Sequence, residues 1–120
     1  MGNIRISGLR VYGRHGVSAR ERTQNQPFDI DLTVEMDLAA AAASDDIADT
    51  LDYARLQERV VATVRSASFA LLERLADAIL ESVLQDARVA RAEITISKPN
   101  VLAGATPSIT LSRVKTQTSP

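Results

Sequence analysis

The sequence contains no cysteine, one histidine, and only two lysines among its 14 basic residues. The lack of cysteine excludes disulfide bonds, thiolate chemistry and zinc sites that rely on cysteine. A single histidine likewise excludes a metal site built from several histidines, so we expect no bound metal. The formal net charge is -1 and no block of basic residues stands out, so neither nucleic acid nor an anionic membrane is an expected partner.

Long hydrophobic runs are also missing. No stretch approaches the roughly 20 apolar residues of a transmembrane helix, and residues 1–5 do not lead into the apolar segment of a signal peptide. These absences predict a cytoplasmic protein. With 120 residues, of which 45% are hydrophobic, the chain fits one domain over residues 1–115, and residues 116–120 are predicted to be a disordered tail.

Apolar and polar residues alternate in four segments, which predicts four β-strands. The predicted strands are Ile4–Val11, Phe28–Leu38, Ala92–Lys98 and Ser108–Val114. Alternation in the first strand breaks at Gly8, where a β-bulge would restore the apolar face. Residues 13–27 contain two glycines, three arginines and a closing proline, and are predicted as a long loop. A second loop with Gly104 and Pro107 separates the last two strands.

Helical periodicity fills the middle of the chain. We expect one helix over Tyr53–Ser66 and a second helix that Ser68 caps, each with apolar residues at spacings of three and four. These apolar positions are Leu56, Val60, Val61 and Val64 in the first helix and Leu72, Leu75, Ala76, Ile79, Leu80 and Val83 in the second. The alanine run 39–43 precedes residues 44–46, which offer caps for a short turn or helix ending near residues 49–50.

The order ββααββ predicts an α+β fold, a two-layer unit with a four-stranded antiparallel sheet and two helices on one of its faces. Such a unit leaves two sheet edges and one sheet face without a partner. A closed homo-oligomer that joins the edges into a ring or barrel would satisfy them. A monomer whose polar sheet face is hydrated is the alternative.

Lys98 is the most conspicuous candidate for chemistry. It is one of two lysines beside twelve arginines, and it closes a predicted strand just before Pro99. A guanidinium stays charged at accessible pH, whereas an ammonium can release its proton when it is partly desolvated. Lys98 is therefore a candidate acid or base, although most lysines are exposed and inert.

Four other residues have both a functional and a plain structural interpretation. Glu73, on the rim of the apolar stripe in the first turns of the second helix, either stabilises the helix N-terminus or anchors a ligand that offers paired N–H donors. Tyr53 is either a core tyrosine or a site residue, and Glu21 is either a solvated loop carboxylate or part of a site. For His15, which lies between two glycines, a buried structural role is favoured over a ligand contact.

Four segments, in this order along the chain, resemble the dihydroneopterin aldolase family. They are Tyr12–Val17 with Glu21 downstream, Ser44–Asp46 with Asp49–Tyr53, Phe69–Glu73, and Ile96–Pro99. The resemblance covers nearly the whole chain and implies the tunnelling fold, in which subunits join into a ring whose sheets form a barrel. Two tetrameric rings commonly stack as an octamer in that family, and the active sites lie between neighbouring subunits.

The same resemblance implies roles for individual residues. Glu73 and Leu72 would bind the pterin ring, and Lys98 and Glu21 would serve the proton transfers. Tyr53 would reach in from the adjacent subunit, and both Tyr53 and Glu21 would also contact the substrate. The implied reaction is the retro-aldol cleavage of 7,8-dihydroneopterin in folate biosynthesis, with epimerisation to dihydromonapterin as a side reaction. It needs no cofactor, because the substrate brings its own electron sink.

Two alternatives are kept open. A related dihydroneopterin triphosphate 2′-epimerase shares the fold and the pterin anchor, and Arg14, Arg20 and Arg22 keep it open because they would suit a triphosphate tail. It comes second, because Lys98-Pro99 and the segment from Tyr12 to Gly16 fit the aldolase better. The further alternative is a ring-forming protein that binds a pterin or purine without catalysis.

The chain also departs from the family pattern in one loop. Residues 100–107 form a shorter loop than the proline-rich one of many relatives, which affects one wall of the expected pocket.

Overall fold

The four strands of the sheet follow one another in sequence order. The computed structural model describes residues 1–115, so the tail predicted over residues 116–120 lies outside the described part. The strands are β1 (Gly2–Gly13), β2 (Gln26–Met36), β3 (Arg91–Ser97) and β4 (Ser108–Val114). They are ordered β1-β2-β3-β4, and every neighbouring pair is antiparallel. The predicted four-stranded antiparallel sheet is confirmed.

Of the four described strands, β4 has the predicted limits and the other three differ from them; β1 extends two residues beyond its prediction at each end. β2 begins and ends two residues earlier than expected, because Leu38 leaves the strand to become the N-cap of a helix. The sequence predicts Pro27 in the loop, but Pro27 pairs with Tyr12 near the start of β2, a strand position that proline tolerates. β3 ends at Ser97, and Lys98 follows the strand, although its backbone N–H still donates to the Pro107 carbonyl at 3.0 Å.

The β-bulge predicted at Gly8 is confirmed. Between Ile6 and Leu9, two residues of β1 face a single residue of β2, Asp31. Gly8 adopts a φ of 69°, which favours glycine, and its N–H donates to the Asp31 Oδ1 atom at 2.7 Å. The extra residue keeps Leu9 and Val11 on the side of the sheet that faces the core.

Three α-helices and two 3-10 turns complete the described part of the chain. The helices are α1 (Ala39–Ser44), α2 (Tyr53–Ser66) and α3 (Leu72–Leu84), and the turns are Glu21–Thr23 and Ile47–Asp49. α2 has the predicted limits, and the Asp52 carboxylate caps it by accepting a hydrogen bond from the Ala54 N–H at 2.9 Å. The alanine run forms α1, a short helix that the order ββααββ omitted.

The prediction that Ser68 caps α3 was wrong. The N-cap residue is Leu71, which makes no side-chain cap. The Ser68 hydroxyl instead lies within hydrogen-bond distance of the carbonyls of Arg14, at 2.6 Å, and Arg22, at 3.1 Å. The Ser68 hydroxyl thus bonds the long loop and does not cap the helix that follows it.

The core lies between one face of the sheet and the two long helices. β2 contributes the alternating buried residues Phe28, Ile30, Leu32, Val34 and Met36, α2 contributes Leu56, Val60 and Val64, and α3 contributes Leu75, Ala76, Ile79, Leu80 and Val83. Each large side chain buried in this way contributes about 1.5–3 kcal/mol relative to an exposed one. None of the helices within residues 1–115 has the length and apolar character needed to span a bilayer.

Candidate active site

A cleft of about 420 Å³ lies where β3 ends, α3 begins and the long loop folds back. It is lined by Gly16, Val17, Glu21, Ala70, Leu71, Leu72, Glu73, Lys98, Val101, Leu102 and Pro107. The fold therefore brings together four of the five predicted site residues, which are Glu21, Leu72, Glu73 and Lys98. Tyr53 does not line this cleft.

Lys98 is not a solvated surface lysine. Its side chain is only 12% exposed, and its Nζ atom lies 2.6 Å from the Glu21 Oε2 atom. The same ammonium lies 5.9 Å from the ring centroid of Phe28, within the range of a cation–π contact. A largely buried ammonium beside a carboxylate is an arrangement that can pass a proton to or from a bound molecule.

The Glu21 carboxylate is bonded by Ser18 as well as by Lys98. Its Oε1 atom accepts hydrogen bonds from the Ser18 N–H at 3.2 Å and from the Ser18 hydroxyl at 3.1 Å. The hydrogen bond from Lys98 lowers the pKa of the Glu21 carboxyl most, and the bonds from Ser18 lower it further. Glu21 is accordingly a carboxylate at neutral pH and is available as a proton acceptor.

Gly16 lets the loop pass close to this carboxylate. A Cβ atom on Gly16 would lie 2.6 Å from the Glu21 Cδ atom, so any larger residue would displace the carboxyl group. The Gly16 N–H also donates to the Phe69 carbonyl at 2.9 Å, which fastens the loop to the segment before α3. The glycine is needed here for close approach rather than for a left-handed backbone.

Two long side chains brace the loop from inside. The Gln26 amide donates to the carbonyls of Glu21, at 2.7 Å, and His15, at 3.2 Å. The Arg22 Nη1 group donates to the carbonyls of Gly16, at 3.1 Å, and Val17, at 2.6 Å. The sequence predicts neither set of bonds, because a side chain that bonds the carbonyls of an irregular loop follows no periodic pattern. Arg22 was a candidate only as a phosphate ligand.

His15 is a buried structural residue, as favoured from the sequence. Its side chain is fully buried, and its Nδ1 atom accepts a hydrogen bond from the Phe69 N–H at 2.9 Å. The Nε2 atom must therefore carry the proton, which it donates to the Val64 carbonyl at 2.7 Å. Burial lowers the pKa of His15, so the neutral ring ties the loop to the end of α2 and to the start of α3.

Glu73 and Leu72 form the α3 side of the cleft. Leu72 is the first residue of α3 and is half-buried, whereas Glu73 follows it and is exposed. The sequence predicts Glu73 on the rim of the apolar stripe of α3, but in the structure it is exposed. An exposed carboxylate that lines a cleft is accessible to a ligand, and it also stabilises the positive end of the helix.

Tyr53 lies at the opposite end of the helical layer. It is the first residue of α2, its side chain is 69% exposed, and it is not a core tyrosine. Val64, whose carbonyl bonds His15 near the cleft, lies eleven residues later, which corresponds to about 16 Å along the helix. The prediction that Tyr53 serves a site in a neighbouring subunit stays a prediction.

The fold and the cleft together define a small α+β protein with a carboxylate–ammonium pair suited to proton transfer. A family model described as dihydroneopterin aldolase matches residues 4–112. The dihydroneopterin aldolase of Streptomyces coelicolor is 36% identical over 100 residues, which are 83% of this chain and 84% of that protein. The chain belongs to the dihydroneopterin aldolase family.

Further comparisons agree with this assignment. The dihydroneopterin aldolase of Streptococcus pyogenes serotype M18 is 40% identical over 86 residues, which are 72% of each chain. The crystal structure of Escherichia coli dihydroneopterin aldolase in complex with neopterin superposes with a TM-score of 0.89 at 36% identity. That match covers 94% of this chain and 99% of the Escherichia coli chain, so the whole fold is shared.

Proposed function

We propose that the chain cleaves 7,8-dihydroneopterin into 6-hydroxymethyl-7,8-dihydropterin and glycolaldehyde, a lyase reaction of folate biosynthesis. The observation that carries this proposal is the Lys98–Glu21 pair, which shares its cleft with Glu73 in a chain of this family. The Escherichia coli relative was solved with neopterin bound. We expect the reaction to take place in the cytoplasm, as the sequence predicts.

Glu73 is the proposed pterin anchor. The amino-pyrimidinone edge of a pterin presents two neighbouring N–H donors, which match the two oxygens of a carboxylate. Glu73 is exposed within the cleft, and the half-buried Leu72 beside it offers an apolar surface for the ring. Bound in this way, the pterin would extend from the start of α3 toward Lys98.

The chemistry depends on an imine already present in the substrate. The C6=N5 imine lies next to C1′ of the trihydroxypropyl side chain. When the 2′-hydroxyl loses its proton and becomes an aldehyde, the C1′–C2′ bond breaks and its electron pair moves into the imine, which gives an enamine. Protonation of C1′ then restores the imine and completes 6-hydroxymethyl-7,8-dihydropterin. The proton removed from the hydroxyl balances the proton gained at C1′.

The residues of the site are assigned to these proton movements. Lys98 delivers a proton to N5 as electrons arrive there and takes it back when protonation of C1′ restores the imine. Lys98 forms no Schiff base, because the imine is already the electron sink. Glu21, a carboxylate whose pKa is lowered by the hydrogen bonds from Lys98 and Ser18, accepts a proton and orients the ammonium. The Tyr53 hydroxyl of an adjacent subunit relays a proton and contacts the side chain of the substrate.

A ring of subunits would complete the site. Within residues 1–115 of the single chain, β1 and β4 each have one unpaired edge, and Tyr53 lies outside the cleft that it would serve. Exposed apolar side chains lie at both ends, namely Val17, Leu71, Val101 and Leu102 around the cleft and Ile47 and Tyr53 at the other end. We propose a tetrameric ring, or an octamer of two rings, with each site between two subunits.

Light scattering tests this assembly. We expect a particle of four or eight chain masses that retains activity on dilution into the assay. A fully active particle of one chain mass would contradict a shared site.

The triphosphate epimerase is the less favoured alternative. Arg22 bonds two loop carbonyls, and Arg14 lines a different cleft from that of Lys98, so two of the three arginines are poorly placed to bind a triphosphate beside it. Epimerisation of dihydroneopterin at C2′ remains an expected side reaction, because the enamine can re-add glycolaldehyde from either face. Comparing turnover of dihydroneopterin with that of its triphosphate separates the two enzymes. A preference for the triphosphate without release of glycolaldehyde would favour the epimerase.

A product assay on the two lysines tests catalysis itself. We expect Lys98→Ala to lower kcat by about 10²–10⁴-fold, the usual contribution of a general acid or base. Lys115→Ala is the matched control, because Lys115 is the other lysine and its ammonium bonds the Asp86 carbonyl outside the cleft. Equal glycolaldehyde release by Lys98→Ala and the wild type would refute the mechanism. A wild-type protein that binds pterin without forming product would instead be a non-catalytic binder.

A further inference from the structure

Ser18 and Glu21 bond each other in both directions. The Glu21 N–H donates to the Ser18 Oγ atom at 3.2 Å, while the Ser18 N–H and hydroxyl reach the Glu21 Oε1 atom at 3.2 and 3.1 Å. This reciprocal pattern has the Ser-x-x-Glu spacing of a capping box, but it is not the cap of the 3-10 turn Glu21–Thr23, whose N-cap residue is Arg20 and makes no side-chain cap. The spacing is visible in the sequence, but nothing local shows that the glutamate has a second partner.

The two oxygens of the Glu21 carboxylate therefore have different partners. Oε1 is bound by Ser18 and Oε2 by the Lys98 ammonium at 2.6 Å. With one oxygen fastened to the loop, the carboxylate cannot rotate without breaking two hydrogen bonds. Most loop glutamates lack such a constraint and sample many rotamers.

We propose that Ser18 is a positioning residue for the proposed reaction, because its hydroxyl and N–H hold the Glu21 carboxylate with Oε2 against Lys98. This inference rests on the proposed function. Ser18 is exposed and does not line the cleft, so it acts through Glu21 rather than on the substrate. Two anchors thus set the geometry of the carboxylate–ammonium pair, one on the loop and one after β3.

The charges around Glu21 decide the sign of the expected pH effect. Lys98 faces it from the end of β3, Glu73 shares the cleft from α3, and Arg20 and Arg22 flank it in the chain. His15 is buried and neutral, since burial lowers its pKa. The Ser18 hydroxyl bond is one of the contacts that lower the pKa of Glu21, so its removal raises that pKa. The acid limb of the kcat profile would then move to higher pH.

Ser18→Ala and Ser18→Thr test the proposal. We expect Ser18→Ala to lower kcat about threefold to tenfold, the fold-change that corresponds to losing one hydrogen bond, with KM within about twofold of the wild type. Its acid limb should move to higher pH, and Ser18→Thr, which keeps the hydroxyl, should restore both quantities. Ser82→Ala, a serine change on α3 outside the cleft, is the control. A wild-type kcat and pH profile for Ser18→Ala would overturn the proposal, as would equal impairment of the alanine and threonine variants.

A second measurement separates this inference from the proposed function. In a Glu21→Gln background, Ser18→Ala should cause no further fall in kcat, because both changes act on one interaction. The carboxyl carbon shift of Glu21, followed by NMR against pH, reports its pKa without turnover and should move upward in Ser18→Ala. An unmoved titration in an active enzyme would contradict the role of Ser18. A moved titration in a protein that forms no product would support the positioning while refuting the proposed reaction.

Discussion

Two ion pairs lie at opposite ends of the helical layer, and they use different cations. Near the start of α3, Lys98 meets Glu21 with side chains that are 12% and 35% exposed. Beyond the end of α3, Arg88 meets Asp86 with side chains that are 44% and 17% exposed. In the first pair the cation is the more buried partner, and in the second the anion is.

The chemistry of the two cations explains the difference. Arg88 contacts both carboxylate oxygens of Asp86, at 2.8 and 3.0 Å, and also bonds the Thr50 carbonyl. This planar fork lowers the pKa of Asp86 to about 2 and fastens the turn after α3 to the segment before α2. A guanidinium that stays charged is suited to holding two segments together, whereas the compact ammonium of Lys98 is suited to proton transfer.

We call the first region the lysine end, which comprises Glu21, Glu73, Lys98 and the buried His15. The second is the tyrosine end, which comprises Tyr53, Asp86 and Arg88. Neither end contains all the predicted site residues. We propose that the lysine end binds and converts the substrate while the tyrosine end completes the site of a neighbouring subunit, and four experiments test that division.

Complementation gives the largest expected effect. Lys98→Ala and Tyr53→Ala chains are each expected to be nearly inactive alone. Co-expressed in mixed rings, they should recover about a quarter of wild-type activity, because half of the lysine ends and half of the tyrosine ends are intact at random. Activity is measured by glycolaldehyde release from purified mixed assemblies.

The matched control mixes Lys98→Ala with Glu21→Ala. Both changes affect the lysine end, so no mixed ring contains an intact site and activity should stay near zero. Failure of the first mixture to exceed this control would contradict a site shared between subunits.

Stability should also differ between the ends. His15→Ala removes a buried ring and leaves the Phe69 N–H and the Val64 carbonyl without partners, so we expect a loss of roughly 3 kcal/mol in unfolding free energy. Arg88→Ala breaks a partly exposed ion pair and should cost about 1 kcal/mol or less. Urea denaturation of both variants measures these losses. Similar losses of unfolding free energy would show that His15 stabilises the fold no more than Arg88 does.

Glu73→Gln tests ligand binding at the lysine end. We expect pterin affinity to fall by about tenfold or more, because hydrogen bonds to a charged group are worth about 1.5–3 kcal/mol. Glu81→Gln is the control, since Glu81 is an exposed glutamate on the same helix outside the cleft. Calorimetric titration with neopterin measures both. Unchanged affinity in Glu73→Gln would leave Glu73 only its stabilising effect on the helix N-terminus.

The smallest effect is a pH dependence that separates the ends. The lowered pKa of His15 means that the unfolded chain binds more protons, so stability falls as pH drops below about 6.5. The Asp86 contribution is present above about pH 4 and is lost as pH falls toward about 2. Because that pair is partly exposed, we expect at most about 1 kcal/mol from it. We expect two steps when the urea midpoint is plotted against pH. His15→Gln should flatten the step below about pH 6.5, and Asp86→Asn should flatten the step between about pH 4 and about pH 2.

Much of the architecture follows from local patterns. The alternation from Phe28 to Met36 predicts β2 because successive strand residues face opposite sides, and the spacing of Leu56, Val60 and Val64 predicts α2 with its observed limits. Gly8 marks the bulge because its missing Cβ permits a positive φ. Lys98 and Glu73 were recognisable from their residue type and the segments around them.

Some predicted details were wrong, for two different reasons. The Ser68 hydroxyl makes a tertiary contact with the long loop in place of its expected cap, whereas Leu38 lies outside β2 because the alanine run that follows it forms α1. Gln26 bonds carbonyls of Glu21 and His15, and no periodicity marks a side chain that braces an irregular loop.

The four strands, the two long helices and the kinds of reactive group could be predicted from the sequence, because periodicity and residue type are local properties. Which groups meet depends on the path of the folded chain. Lys98 and Glu21 are 77 positions apart, and they meet because the loop before β2 folds back over the end of β3. The same fold places Tyr53 at the other end of α2, since a straight helix holds its first and last turns apart. The path of the chain thus brings four of the five predicted site residues into one cleft and places the fifth, Tyr53, elsewhere.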